Sequence, residues 1–216
     1  MKLTFLLKEK QKTLLIIFSV VVTILLSTVM YLVISQTKRM EKFLIIDEIL
    51  YLNDRQYIGQ SVNLIAIDLG SQIGVTDENQ QVYEIKGQKP SEWICIRYDG
   101  MEAVYKELNV PYLILSRFKA DKIIVKDVSK LCSLQITITE QEVINSIISD
   151  LKDDNIVNIS EIQIDAKQLN VYSEKFPGLC FILYYLHDDE SGNCFIYDPN
   201  LETAWIIGSA LINQLR

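Results

Sequence analysis

The chain has 216 residues, 49% of them hydrophobic, with a formal net charge of −7 and a single histidine. The charge is unevenly held: from residue 43 onward 14 Lys and Arg stand against 26 Asp and Glu, a balance of 14 − 26 = −12. So acidic a body excludes nucleic acid as a partner, because phosphate binding needs a basic patch. Any Ser/His or Cys/His catalytic pair would have to use His187.

The first element is apolar. Leu14 to Ile34 reads LLIIFSVVVTILLSTVMYLVI, with no charged residue. At ~1.5 Å of rise per residue this run matches the roughly 30 Å hydrocarbon core of a bilayer, which predicts a transmembrane helix over residues 13–35 in contact with membrane lipid. The hydroxyls of Ser19, Thr23, Ser27 and Thr28 can bond back to helix carbonyls. The run outlasts the apolar core of a signal peptide, and Tyr31 to Gln36 contains no A-x-A-like cut site, so an uncleaved anchor is expected. Lys2, Lys8, Lys10 and Lys12 precede it; Lys38, Arg39 and Lys42 follow. That margin places residues 1–12 in the cytoplasm and the C-terminal body outside the cell membrane.

Residues 36–43 read as a polar stem. From 44 to 118 short strands are punctuated by turns: Glu48 to Leu52 and Gln56 to Ile58 around Asn53-Asp54-Arg55, an apolar run from Val62 ended by Gly70, then Gln81 to Lys86 with period two, Trp93 to Tyr98 turned at Asp99-Gly100, and Glu102 to Leu108 as strand or short helix. This spacing predicts a small, barrel-like β-rich domain. The second domain, 119–216, is predicted as α+β. Lys122 to Val128 and Ser133 to Ile138 alternate as strands. A helix follows, with Thr139 and Glu142 as a capping box and Val143, Ile144, Ile147, Ile148 and Leu151 as its apolar face. Strands are then expected at Ser160 to Ile164, Leu179 to Leu186, Asn193 to Tyr197 and Thr203 to Ile207, before a short terminal helix from Ser209. The predicted fold class is thus α+β: an anchor helix, a barrel-like unit, and an antiparallel sheet with one packed amphipathic helix.

Chemical constellations are sparse. Cys95, Cys132, Cys180 and Cys194 show no metal-ligand spacing; with the body outside, a disulfide is permitted, and buried free thiols are the default expectation. His187 opens the acidic hairpin loop His187-Asp188-Asp189-Glu190-Ser191-Gly192, whose oxygens suit Ca²⁺ but lack the EF-hand spacing. Ser116-x-x-Lys119 and Ser149-x-x-Lys152 both fit an S-x-x-K pattern, and two matches without a K-T-G mark it as chance. Asp68, beside an apolar run, reads as a strand-end turn. Catalytic residues, metals and cofactors are therefore not assigned. Tyr51, Tyr57, Tyr83 and Tyr98 crowd the first half and are the candidate ligand- or partner-binding residues, against the plainer reading of half-buried sheet tyrosines.

Ile73-Gly74-Val75, Val82 to Gly87, Trp93 to Ile96 with Asp99-Gly100 and Tyr105, together with Ile136 to Thr139 and Phe195 to Asp198, resemble a pattern in uncharacterised, lipoprotein-like or single-span surface proteins of Gram-positive bacteria. The resemblance implies a membrane-anchored protein with a small β-rich extracytoplasmic domain, and it carries over no catalytic residues. The expected function is a non-catalytic extracytoplasmic binding module for a protein or envelope component. The alternatives are a membrane-tethered hydrolase or an accessory subunit of a membrane complex whose span packs through the anchor's small polar residues.

Overall fold

The computed structural model describes residues 19–29, 40–61, 63–127, 135–151, 155–157, 167–188 and 191–215. Residues 1–12, most of the stem, Cys132, Lys152, Ser160 to Ile164, Asp189 and Glu190 lie outside the described residues. The chain divides into two compact units, Met1–Met40 and Glu41–Arg216.

In the first unit residues 19–29 are helical, here α1. Its hydroxyls bond back to helix carbonyls as their positions suggest: Thr23 Oγ1 to the Ser19 carbonyl at 2.8 Å, Ser27 Oγ and Thr28 Oγ1 to that of Ile24 at 2.9 and 2.7 Å. Among the described residues no helix is long and apolar enough to cross a membrane. The flanks of the expected span, residues 13–18 and 30–35, fall outside the description.

The second unit is β-rich. Its first strands are β1 (Glu41–Ile46), β2 (Ile49–Leu52), β3 (Arg55–Gly59), β4 (Leu64–Ala66), β5 (Leu69–Thr76), β6 (Gln81–Ile85), β7 (Trp93–Tyr98) and β8 (Met101–Glu107). Seven of them close a barrel in the order β1-β2-β3-β8-β7-β6-β5. An odd number of strands cannot alternate all the way round, so one neighbouring pair must be parallel; here it is β1 with β5, Glu41 opposite Gly74 and Phe43 opposite Thr76. Two departures from the sequence reading meet at this seam. Strand β1 begins inside the segment read as stem, and Gly70, read as a strand end, lies within β5, which continues past register shifts between Leu69 and Gly74. A bulged strand loses its period of two, which hides it from a periodicity search. The barrel interior holds Phe43, Leu50, Leu52, Tyr57, Val82, Ile94 and Ile96.

The remaining elements are helix α2 (Leu115–Phe118), strands β9 (Lys122–Asp127) and β10 (Ile136–Ile138), helix α3 (Gln141–Asp150), strands β11 (Ile156–Val157), β12 (Lys167–Tyr172), β13 (Leu179–His187), β14 (Cys194–Asp198) and β15 (Thr203–Ile206), and helix α4 (Ser209–Leu215). The strands form a second, antiparallel sheet in the order β10-β9-β12-β13-β14-β15-β11. Strand β12, which the sequence reading did not place, alternates Gln168 and Asn170 with Leu169 and Val171 and pairs along its whole length with β9 and β13. Helix α3 buries Ile144 and Ile147 as predicted, but the capping box does not form: Glu140 is the N-cap, without a side-chain cap bond, and its carboxylate accepts from the Thr139 amide instead. The chain leaves β10 in extended geometry, so the helix starts one residue too late for Thr139 to cap it.

Strand β4 leaves the barrel path and pairs with β13, Leu64 opposite Phe181 and Ala66 opposite Leu179. The Ile182 amide donates to the Asn63 carbonyl at 2.7 Å, between the β4 and β14 stretches of the same β13 edge. A second seam lies at Gly178, whose amide neighbour Ile67 donates to the Gly178 carbonyl at 2.9 Å. A Cβ there would stand 2.3 Å from the Lys86 carbonyl oxygen, at a φ of +80°, so only glycine admits this approach. One core runs through both sheets. Trp93 and Cys95 on the outer face of β7 join Leu169, Phe181 and Leu183 of the sheet and Ile144, Ile147 and Leu211 of the helices, leaving β7 buried on both faces.

Candidate ligand cavity

Strand register decides what faces the helices. Ile196 opposes Trp205 and Asp198 opposes Thr203, so Asp198 and Trp205 project from one face of the sheet; Tyr184 opposite Tyr197 puts Phe181 and Leu183 on that face too. The C-terminal end of α3 covers it with Ile148 and Leu151. Two barrel-side segments complete the wall, Gly59 to Ser61 with Asn63, and Tyr112 to Ser116. Between them lies a cavity of about 610 Å³, within the roughly 300–1,000 Å³ usual for small-molecule sites.

The two barrel-side segments are tied through Gln60, whose side chain donates to the Leu113 carbonyl at 3.2 Å and accepts from the Leu113 amide at 3.3 Å. Beneath them Lys106 is 2% exposed and holds its ammonium on the Val110 carbonyl at 2.6 Å, 4.4 Å from the Tyr112 ring centroid. Burial holds this amine below the usual lysine range. Helix α2, a single turn, is pinned by Phe118, which stacks on Phe176 at 5.7 Å and meets Phe181 edge-on at 5.0 Å.

The polar side chains at the cavity include Gln60, Ser61, Asn63, Ser116, Asp198 and Asn200. Asp198 Oδ2 accepts from Asn63 Nδ2 at 2.8 Å, and Oδ1 accepts from the Asn200 and Leu201 amides at 2.8 and 3.2 Å. Burial raises its pKa above the ordinary carboxylate value, and these three donors pull it partway back. Trp205, 7% exposed, carries an indole Nε1–H with no hydrogen-bond partner among the described residues, and Ser61 Oγ is likewise buried without one. Such groups are rare, and each left unpaired costs about 1–3 kcal/mol. A second cavity of about 600 Å³ shares the Leu115, Ser116, Ile148 and Leu151 wall and reaches Lys119 and Gln141.

The four tyrosines are not gathered here. Tyr57 is 1% exposed inside the barrel, donates to the Pro90 carbonyl at 3.1 Å and meets Phe43 edge-on. Tyr51 is half-buried opposite Leu44. Tyr83 packs on the shared core, donates to Gln81 Oε1 at 2.8 Å and lies under the Arg97 guanidinium at 5.0 Å. Tyr98 is exposed beside the β7–β8 turn. None of the four lines the cavity.

Other sequence candidates resolve structurally. Asp68 pairs with Lys86 at 2.6 Å on the surface. Ser116 and Lys119 both line the second cavity, yet among the described residues no hydrogen bond joins them. The loop after His187 closes a β13–β14 hairpin through the Asp188 and Gly192 amides, and among the described residues no cluster could hold a metal ion. Cys95, Cys180 and Cys194 are buried and free; burial pushes Cys95 and Cys180 up to about 12. The Tyr185 hydroxyl lies 3.0 Å from Cys194 Sγ.

The cavity residues carried no sequence signal as a set, since Asn63 and Asp198 meet across 135 positions. A partial signal was the Asp198-Pro199-Asn200 turn, whose carboxylate caps its own loop. Comparison with protein-family models, with curated proteins and with solved structures returns no match to this chain.

Proposed function

We propose that this chain is a membrane-anchored, non-catalytic binding module. In this reading residues 13–35 are embedded in lipid with the N-terminus in the cytoplasm, and the Glu41–Arg216 unit lies on the extracytoplasmic side, the location implied by the Gram-positive surface proteins it resembles, and binds its ligand there. The observation that carries the proposal is the cavity of about 610 Å³ whose mostly apolar walls include the unpaired Trp205 indole. Ligand sites combine this composition with a small number of fixed polar groups. The described lining offers the hydroxyls of Ser61 and Ser116 no histidine or lysine as a base, and its one carboxylate, Asp198, is engaged by three donors.

Two readouts test it. In a Cys132→Ser background with Met101→Cys, a membrane-impermeant maleimide added to intact cells should label the new thiol, since position 101 is 55% exposed and Cys95, Cys180 and Cys194 are buried. Labelling only after lysis would reverse the topology. For binding, the full chain in lipid nanodiscs with ¹⁵N-indole label gives two tryptophan signals, Trp93 and Trp205. Titrating eight-carbon probes, 2-octanone, octanoate and octylammonium, should move the Trp205 signal saturably. If none of the three does, the cavity is not a binding site.

A further inference from the structure

We infer that the cavity takes an uncharged, mainly apolar ligand that presents a carbonyl-type oxygen to Trp205 and Ser61; this rests on the binding reading above and names the chemistry of its ligand. The argument starts from what the wall lacks. Indole Nε1–H can only donate, so it is satisfied by an acceptor and by nothing else. Ser61 Oγ, the other buried unpaired atom, can donate to an oxygen or accept from an N–H or O–H. Both atoms are buried behind the wall surface, so contact requires the Trp205 and Ser61 side chains to turn toward the cavity.

Charge narrows the ligand further. The carboxylate in the described wall is Asp198, an acid already burdened by burial. A carboxylate or phosphate head would meet that buried acid, where like charges repel more strongly than in bulk water. An ammonium head would find Asp198 already accepting three hydrogen bonds and would leave the indole unpaired. A ketone, ester or amide oxygen meets the donors without adding charge. The apolar remainder lies against Leu113, Leu115, Ile148 and Leu151, and the shared wall lets a longer chain continue toward the second cavity.

The same nanodisc titration decides it. With 2-octanone the Trp205 indole proton should move downfield, as on hydrogen bonding, while Trp93 stays fixed. Octanoate and octylammonium should each bind at least about tenfold more weakly, the equivalent of roughly 1.4 kcal/mol. Ser61→Ala should weaken 2-octanone by about threefold to tenfold, the value of one net hydrogen bond. Trp205→Phe should abolish most of the rise in melting temperature that 2-octanone produces, with Trp93→Phe as the control for tryptophan loss alone. Octanoate binding as tightly as 2-octanone would overturn the inference and point to a head group at Lys119, leaving the binding reading intact. Binding of 2-octanone without a downfield indole shift would overturn it as well. Failure of all three probes would remove both readings.

Discussion

Asp198 concentrates the electrostatics of the cavity in one side chain. It is buried, raised in pKa by that burial, and held by Asn63 and two backbone amides. Because the folded-state value is raised, the stability this carboxyl contributes is fully present below its unfolded pKa of about 3.9 and is lost as pH climbs through the folded value. Asp198→Asn keeps an acceptor for the Asn200 and Leu201 amides, and the Asn63 amide can turn to accept from the new donor. The variant should therefore improve relative to the parent as pH rises from 4 toward 7. Urea unfolding of both proteins at the two pH values measures this, and a stability difference that does not change with pH would show that Asp198 titrates normally.

Barrel closure is decided by one element pair. The parallel contact of β1 with β5 brings the Glu41 carbonyl so close to Gly74 that a Cβ would stand 2.4 Å from it and 2.6 Å from the Phe43 ring. Backbone cannot yield as a flexible side chain does, so Gly74→Ala should destabilise by on the order of 1–3 kcal/mol through overpacking at the seam. Gly59 is the matched control, in β3 with nothing within 4 Å of its would-be Cβ. Gly59→Ala should change stability little. Thermal melts of the two variants side by side read the difference, and equal losses would mean that this seam does not hold the barrel shut.

The barrel and the second sheet are joined by the β4–β13 pairing and by one core to which β7 of the barrel contributes Trp93 and Cys95. Neither can open without exposing apolar surface of the other, which predicts one cooperative transition for Glu41–Arg216. The two tryptophans sit one on each side, Trp93 on the barrel wall and Trp205 in β15. Single-tryptophan chains, Trp205→Phe and Trp93→Phe, should each give fluorescence and far-ultraviolet circular dichroism transitions with the same midpoint. Transitions separated within either variant would show that the halves unfold independently.

Much of this architecture is legible in local sequence because its signals are local. Period-two runs place β6 and β9, and apolar runs place β7 and β13; the Asn53-Asp54 and Asp99-Gly100 turns place the hairpins; the spacing of Ile144 and Ile147 places α3. The apolar run at Leu14 to Ile34 and the −12 body likewise need no partner to be read. The tertiary structure alone decided the rest. Strand β1 gains its place from a parallel partner some thirty residues on, β5 is bulged, and β12 carries polar residues between two neighbours that satisfy its backbone. The cavity belongs to the same class. Ser61, Asp198 and Trp205 are ordinary in their own segments, and line one cavity only because the β4–β13 pairing brings the barrel exit, with Ser61, against the sheet face that bears Asp198 and Trp205.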